Sequence, residues 1–136
     1  MKPGLVLTIL FLICAGCGKE HSGIPDVYVD YRFTDADFIA RKNANNVMLV
    51  PNQGVAGLII CKSFDGRGYI AFDRCSTVNP EKKCAVTPDE SSFTATDPCS
   101  GAIFSLFDGA PAKAPAKIAL KQYTIIASNT QFIVTN

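Results

Sequence analysis

Two kinds of apolar pattern run along the 136-residue chain. The first is the apolar run from Leu5 to Ile13, preceded by Lys2 and shortening into Ala15 and Gly16. It predicts a secretory signal peptide over residues 1–16, because the run is too short to cross a bilayer as a helix. Residues 17–25 are mostly polar or small and read as a tether; they hold His21, the only histidine. After Pro25 the pattern changes to short segments of strand type. "VYVDYRF" (Val27–Phe33) alternates, placing Val27, Val29, Tyr31 and Phe33 on one face. Val47 to Val50 reads as a short buried strand stopped by Pro51 and Asn52. "GVAGLIICKS" (Gly54–Ser63) and "GYIAFD" (Gly68–Asp73) flank Asp65-Gly66, a hairpin signal. Further segments, "AVT", "SFTAT", "AIFSLF", "KIALKQYTIIA" and "QFIVT", are divided by Pro88-Asp89, Asp97-Pro98, Asp108-Gly109 and Ser128-Asn129. No helix is expected. Residues 26–136 are predicted to form one antiparallel all-β domain, a sandwich or barrel, with "GAPAKAPAK" (Gly109–Lys117) as an extended Pro/Ala-rich loop.

Length allows one modest core. Loss of residues 1–16 takes one of the 13 basic side chains, Lys2, and none of the 12 acidic ones. The remaining domain is neutral and offers nucleic acid no electrostatic footprint. "CAGC" (Cys14–Cys17) resembles the bacterial lipobox, with Cys14 where that pattern prefers Leu. The resemblance implies cleavage before Cys17 and a diacylglycerol on its thiol. It also implies a lipid-anchored place in the cell envelope, at the outer membrane because Gly18 rather than Asp follows, with the membrane face left open. An ordinary cleaved signal with a free Cys17 thiol and an uncleaved anchor are the other readings.

Cys61, Cys75, Cys84 and Cys99 remain, and outside the cytoplasm four such residues allow three disulfide connectivities. Cys61 sits in the apolar run "GLIICKS" and reads as a small core residue.

"DPCSGAIF" (Asp97–Phe104) resembles the second loop of a Rieske iron–sulfur domain, Cys-Pro-Cys-His-Gly-x-x-Phe, keeping Pro98, Cys99, Gly101 and Phe104. "GYIAFDRC" resembles the strand entering the first loop, and "PAKIALKQYTI" (Pro115–Ile125) the segment that follows the proline loop. The resemblance spans about Gly54 to Val134 and is also to secreted Rieske-like lipoproteins of Bacteroidetes-type bacteria. It implies a Rieske-like all-β fold whose two loops form a degenerate cluster-binding subregion. Such a cluster takes two thiolates and two imidazoles. By resemblance, Cys75 keeps an outer cysteine position, Thr77 replaces a histidine, Asp97 replaces the other outer cysteine and Ser100 replaces the second histidine. One ligand of four remains, so no cofactor is expected, with a retained [2Fe–2S] cluster as the alternative. Cys84 and Cys99 match the inner pair, which implies a Cys84–Cys99 disulfide. Cys84 lies nine residues beyond Cys75, longer than the usual spacing, so Cys75–Cys99 and Cys75–Cys84 stay open.

A four-cysteine iron–sulfur or zinc site lacks any Cys-x-x-Cys spacing. Nucleophilic catalysis needs an imidazole beside the nucleophile, and the only one is His21 on the tether. Asp30, Asp35, Asp37, Asp65, Asp73, Asp89 and Glu90 fall mostly at strand ends and turns and are expected to be solvated caps and turn contacts; "DAD" (Asp35–Asp37) lacks the loop that would make calcium specific. A non-enzymatic binding or structural module of the envelope is therefore expected, its partner an unidentified envelope protein or small ligand. The rival class is electron transfer through a retained cluster, or thiol chemistry at Cys75.

Overall fold

A computed structural model of the protein describes residues 21–136. The leader and Cys17 lie outside the described residues. Ten strands and one helix follow in order: β1 (Asp30–Phe33), α1 (Asp35–Arg41), β2 (Val47–Val50), β3 (Leu58–Lys62), β4 (Tyr69–Asp73), β5 (Thr87–Pro88), β6 (Thr94–Thr96), β7 (Ile103–Ser105), β8 (Pro111–Lys113), β9 (Gln122–Ala127) and β10 (Phe132–Thr135). Six strands form one sheet in the order β1-β10-β9-β4-β3-β2, and β5-β6-β7-β8 form a second. Both sheets are antiparallel throughout. The second sheet and its loops occupy the chain between β4 and β9, so the candidate motifs lie together in this excursion.

The apolar run "LIIC" is buried on both faces of β3. Leu58 and Ile60 join a core with Val29, Phe33, Met48, Val50 and Val134. Ile59 and Cys61 join another with Phe72, Ala95, Ala102, Phe104 and Leu106. A strand with a core on each side needs no polar alternation. The edge strands β1 and β2 contribute to the same first core, which shows that the large sheet curls. Asp65 and Gly66 form the turn of the β3–β4 hairpin, Gly66 at φ +72°. Val29 and Phe33 are buried, Tyr31 and Val27 partly, and Tyr28 is exposed, as the alternation of the first segment requires.

Four expectations are corrected. A helix does form: Thr34 accepts from the Asp37 amide while Asp37 reaches back to the Thr34 amide, a reciprocal cap. The helix lays Phe38 against Tyr69, ring centroids 4.7 Å apart. Its seven residues are too few to show a helical period, and burial of Phe38 stabilises it instead. The "DAD" carboxylates are committed to protein donors, Asp37 to Thr34 and Asp35 to the Tyr69 hydroxyl and the Lys62 ammonium. Second, the "GVAG" part of the Gly54–Ser63 segment is a turn, because the amides of Val55 and Ala56 point at Asp73. Asp73 is itself the third correction: it is fully buried rather than solvated. The Pro/Ala-rich loop also opens with strand β8, paired to β7.

Candidate functional site

Both loops that carry the motifs leave the sheets at the same end of the molecule. The first begins where β4 ends. Asp73 accepts hydrogen bonds from the Tyr123 hydroxyl (2.8 Å) and from the amides of Val55 (2.7 Å), Ala56 (3.2 Å) and Cys75 (2.8 Å). One buried carboxylate thereby ties β4, β9, the turn before β3 and the first loop. Burial, reinforced by the hydrogen bond to Asp73, pushes the Tyr123 hydroxyl well above the ordinary tyrosine range. Cys75 bridges Ala85 in antiparallel fashion, and the Ser76 amide bonds the Cys84 carbonyl at 2.8 Å. The residues between form a loop with Asn79 and Lys83 at positive φ around a short 3-10 turn, Pro80–Lys82.

The second loop is the β6–β7 turn. The Gly101 amide bonds the Asp97 carbonyl and the Asp97 amide bonds the Ala102 carbonyl, each at 2.8 Å. Gly101 sits at φ +75°, a conformation that glycine adopts without strain. Phe104 is fully buried in the core of the small sheet.

Asp97 is the hub between the loops and is itself fully buried. Its Oδ2 accepts from the hydroxyls of Ser76 (2.7 Å) and Ser100 (2.6 Å), and its Oδ1 from the Cys99 amide (2.8 Å). Burial works against its charge, but the hydrogen bonds from Ser100, Ser76 and the Cys99 amide outweigh burial and hold the carboxyl below its ordinary value.

Of the four positions matched to cluster ligands, Asp97 and Ser100 bond each other while the other two turn elsewhere. The Thr77 hydroxyl donates to the Ile118 carbonyl at 2.6 Å, fastening the first loop to the segment after the proline loop. The Cys75 thiol donates to the Pro80 carbonyl at 3.5 Å and is fully buried. Burial, with Asp73 adding to it, pushes this thiol up to about 11. A thiol so placed is protonated at neutral pH and a poor nucleophile. Cys61 is buried too, its thiol pushed up to about 12 by burial and directed at the Leu106 carbonyl.

Cys84 and Cys99 form a disulfide, with Cα atoms 6.2 Å apart. The long first loop therefore does not redirect the pairing to Cys75. Sequence reasoning missed Ser76, which carries the bond between the loops. Nothing in a serine between Cys75 and Thr77 marks it; its partner emerges only when the loops meet. The closed loop has a sequence separation of 15. Reduction, or Cys84→Ser, is expected to cost about 3 kcal/mol. The midpoint of urea unfolding, measured with and without reductant in the presence of a chelator, checks this.

No protein-family model matches the chain, and no curated protein matches it. Solved structures do. A cyanobacterial plasma-membrane Rieske protein from Synechocystis superposes with a TM-score of 0.58 at 23% identity, covering 80% of this chain and 98% of that one. The ferredoxin of Sphingomonas yanoikuyae gives 0.53 at 15% identity, covering 79% and 98%. The ferredoxin of carbazole 1,9a-dioxygenase from Nocardioides aromaticivorans gives 0.52 at 14%, covering 78% and 96%. At these identities the likeness is one of fold, and the fold is Rieske-like.

Proposed function

We propose that this chain is a lipid-anchored module of the cell envelope whose Rieske-like domain has given up its iron–sulfur cluster and acts by binding or scaffolding. The observation that carries the proposal is the hydrogen-bonded knot of Ser76, Asp97 and Ser100 at the tip where the loops meet. A [2Fe–2S] group of the Rieske type takes two thiolates and two imidazoles. The four matched positions supply one thiol and three oxygen groups, and hydroxyls are poor substitutes for imidazole on iron. The hydroxyls of Thr77 and Ser100 are both engaged by protein acceptors, and the Cys75 thiol is directed at a carbonyl. This donor set does not fit the cluster.

A role in contact rather than electron transfer is supported at the opposite end of the small sheet. There Phe64, Phe93 and Phe107 are 82%, 56% and 44% exposed. The Phe107 ring lies 4.9 Å from that of Phe64 and 5.3 Å from that of Phe93. Three clustered aromatic rings in water are unusual unless something meets them. Protein produced under iron starvation is expected to fold fully and to melt at the same temperature as protein from iron-replete cells. A melting temperature several degrees lower without iron would overturn the cluster-free reading.

The anchor rests on "CAGC" and Cys17. No helix among the described residues is long and apolar enough to cross a membrane. Cys17→Ser is expected to move the protein from the membrane to the soluble fraction. Equal membrane retention of the variant would show that this residue is not the anchor.

A further inference from the structure

Besides the disulfide, Cys84 and Cys99 share a neighbour: their sulfurs and a carboxylate oxygen of Asp97 all lie within 4.8 Å of one another. Sulfurs bonded to each other do not bind metal, because the ligand is the thiolate. The disulfide is not what alone holds these groups together, however. Cys84 is pinned through its carbonyl to the Ser76 amide, Cys99 through its amide to Asp97 Oδ1, and the loops to each other by the Ser76 hydroxyl on Asp97 Oδ2. None of the three bonds uses either sulfur atom, so cutting the sulfur–sulfur bond removes none of their donors or acceptors. Cys99 is exposed, so an external thiol can reach it.

We propose that the Cys84–Cys99 pair is a redox gate on a mononuclear metal site, in which the reduced cysteines and Asp97 bind a thiophilic divalent cation of the zinc class. A dithiol of the thiol-disulfide oxidoreductase type supplies two electrons and two protons. Its own thiols become a disulfide, and Cys84 and Cys99 become free thiols. The cation then displaces both thiol protons and is held by two sulfurs and one carboxylate oxygen, with water in the fourth place. Two sulfurs on a tetrahedral zinc stand about 3.8 Å apart, inside the span that the three donors already share. Sulfur ligands favour zinc over magnesium or calcium. Ser76 and Ser100 would orient the carboxylate from outside, as bonded neighbours of metal ligands do. Cys75 takes no part, its thiol being turned to Pro80.

The inference rests on the cluster-free reading, because it uses Asp97. The test is a titration of the purified chain with cobalt(II) alone, before and after dithiol treatment under inert gas, with iron measured in the same sample. The reduced chain is expected to bind one equivalent with thiolate-to-cobalt charge-transfer absorption, and the oxidised chain none. Cys84→Ser and Cys99→Ser should each weaken binding by more than the about tenfold to hundredfold that loss of a ligand's bonded neighbour costs, whereas Cys75→Ala leaves it intact. Asp97→Asn, of the same shape, should weaken it similarly; the cysteine variants decide the matter even where that variant fails to fold. Binding that does not depend on reduction, or that persists in the Cys84→Ser/Cys99→Ser double variant, would overturn the proposal. Iron in the starting sample would instead count against the cluster-free reading.

Discussion

Asp73→Ala is expected to be among the most damaging single substitutions in the domain, lowering stability by about 4 kcal/mol. The residue is fully buried and its carboxylate accepts from four donors. A buried donor left without an acceptor costs about 1–3 kcal/mol, and the alanine strands the Tyr123 hydroxyl and the amides of Val55, Ala56 and Cys75 together. Relaxation and entry of water keep the total below the sum of four such penalties. Tyr123→Phe removes one donor and leaves three, so its expected cost is nearer 1 kcal/mol. Their double variant should cost less than the two singles added, because each single variant loses the same Tyr123–Asp73 hydrogen bond and the double variant leaves no hydroxyl stranded. The neighbouring backbone has adapted to this carboxylate: a Cβ on Gly54 would stand 2.4 Å from Asp73 Oδ2, at a φ of +63°. Urea midpoints at unchanged slope measure all three variants. A loss under about 1 kcal/mol for Asp73→Ala would show that the hydrogen bonds to Asp73 contribute little to stability.

The second large effect belongs to Asp97. Asp97→Ala removes the acceptor of both serine hydroxyls and the Cys99 amide and is expected to cost about 3 kcal/mol. Its charge gives the effect a pH signature. The folded carboxyl titrates below the unfolded one, whose value is about 3.9. Stability from the ionised form is therefore fully present above about pH 4 to 5 and is lost as pH falls through the lower folded value. The stability gap between the wild type and Asp97→Asn should accordingly narrow as pH drops from 6 to 3. Subtracting the variant cancels the exposed carboxylates whose values are also lowered, such as Asp35 and Asp37. A gap that stays constant across that range would mean that the charge of Asp97 contributes nothing.

Much of the architecture was legible because β-structure leaves a short-range trace. Alternation in "VYVDYRF", Asp65-Gly66 between two apolar runs, and turn pairs between short segments each reflect neighbours in sequence. The Rieske-like resemblance was legible from a few positions of "DPCSGAIF" and from the segment that carries Tyr123. Helix α1 was not, since it owes its existence to Phe38 meeting Tyr69 across the fold. The burial of Asp73 was illegible for the same reason: a carboxylate at a strand end reads as solvated until donors from elsewhere in the fold, here Tyr123, Val55 and Ala56, arrive on it. Asp97 stood out only as a replaced ligand position, and its bond to Ser76 emerges when the two loops meet. The disulfide lay between, with its partners named by resemblance and its competition with Cys75 resolved only by the path of the first loop. That loop turns Cys75 inward to Pro80 and leaves Cys84 facing Cys99.

Asp97, Ser76 and Ser100 are proposed to take the place of a metal cluster in joining the two loops. Iron and acid-labile sulfide, quantified per chain in protein purified without oxygen, address that claim most directly. The cluster-free proposal expects neither in stoichiometric amount and no visible absorption. Two irons and two sulfides per chain, with visible absorption that disappears in Cys75→Ala, would contradict it and restore electron transfer as the function of this domain.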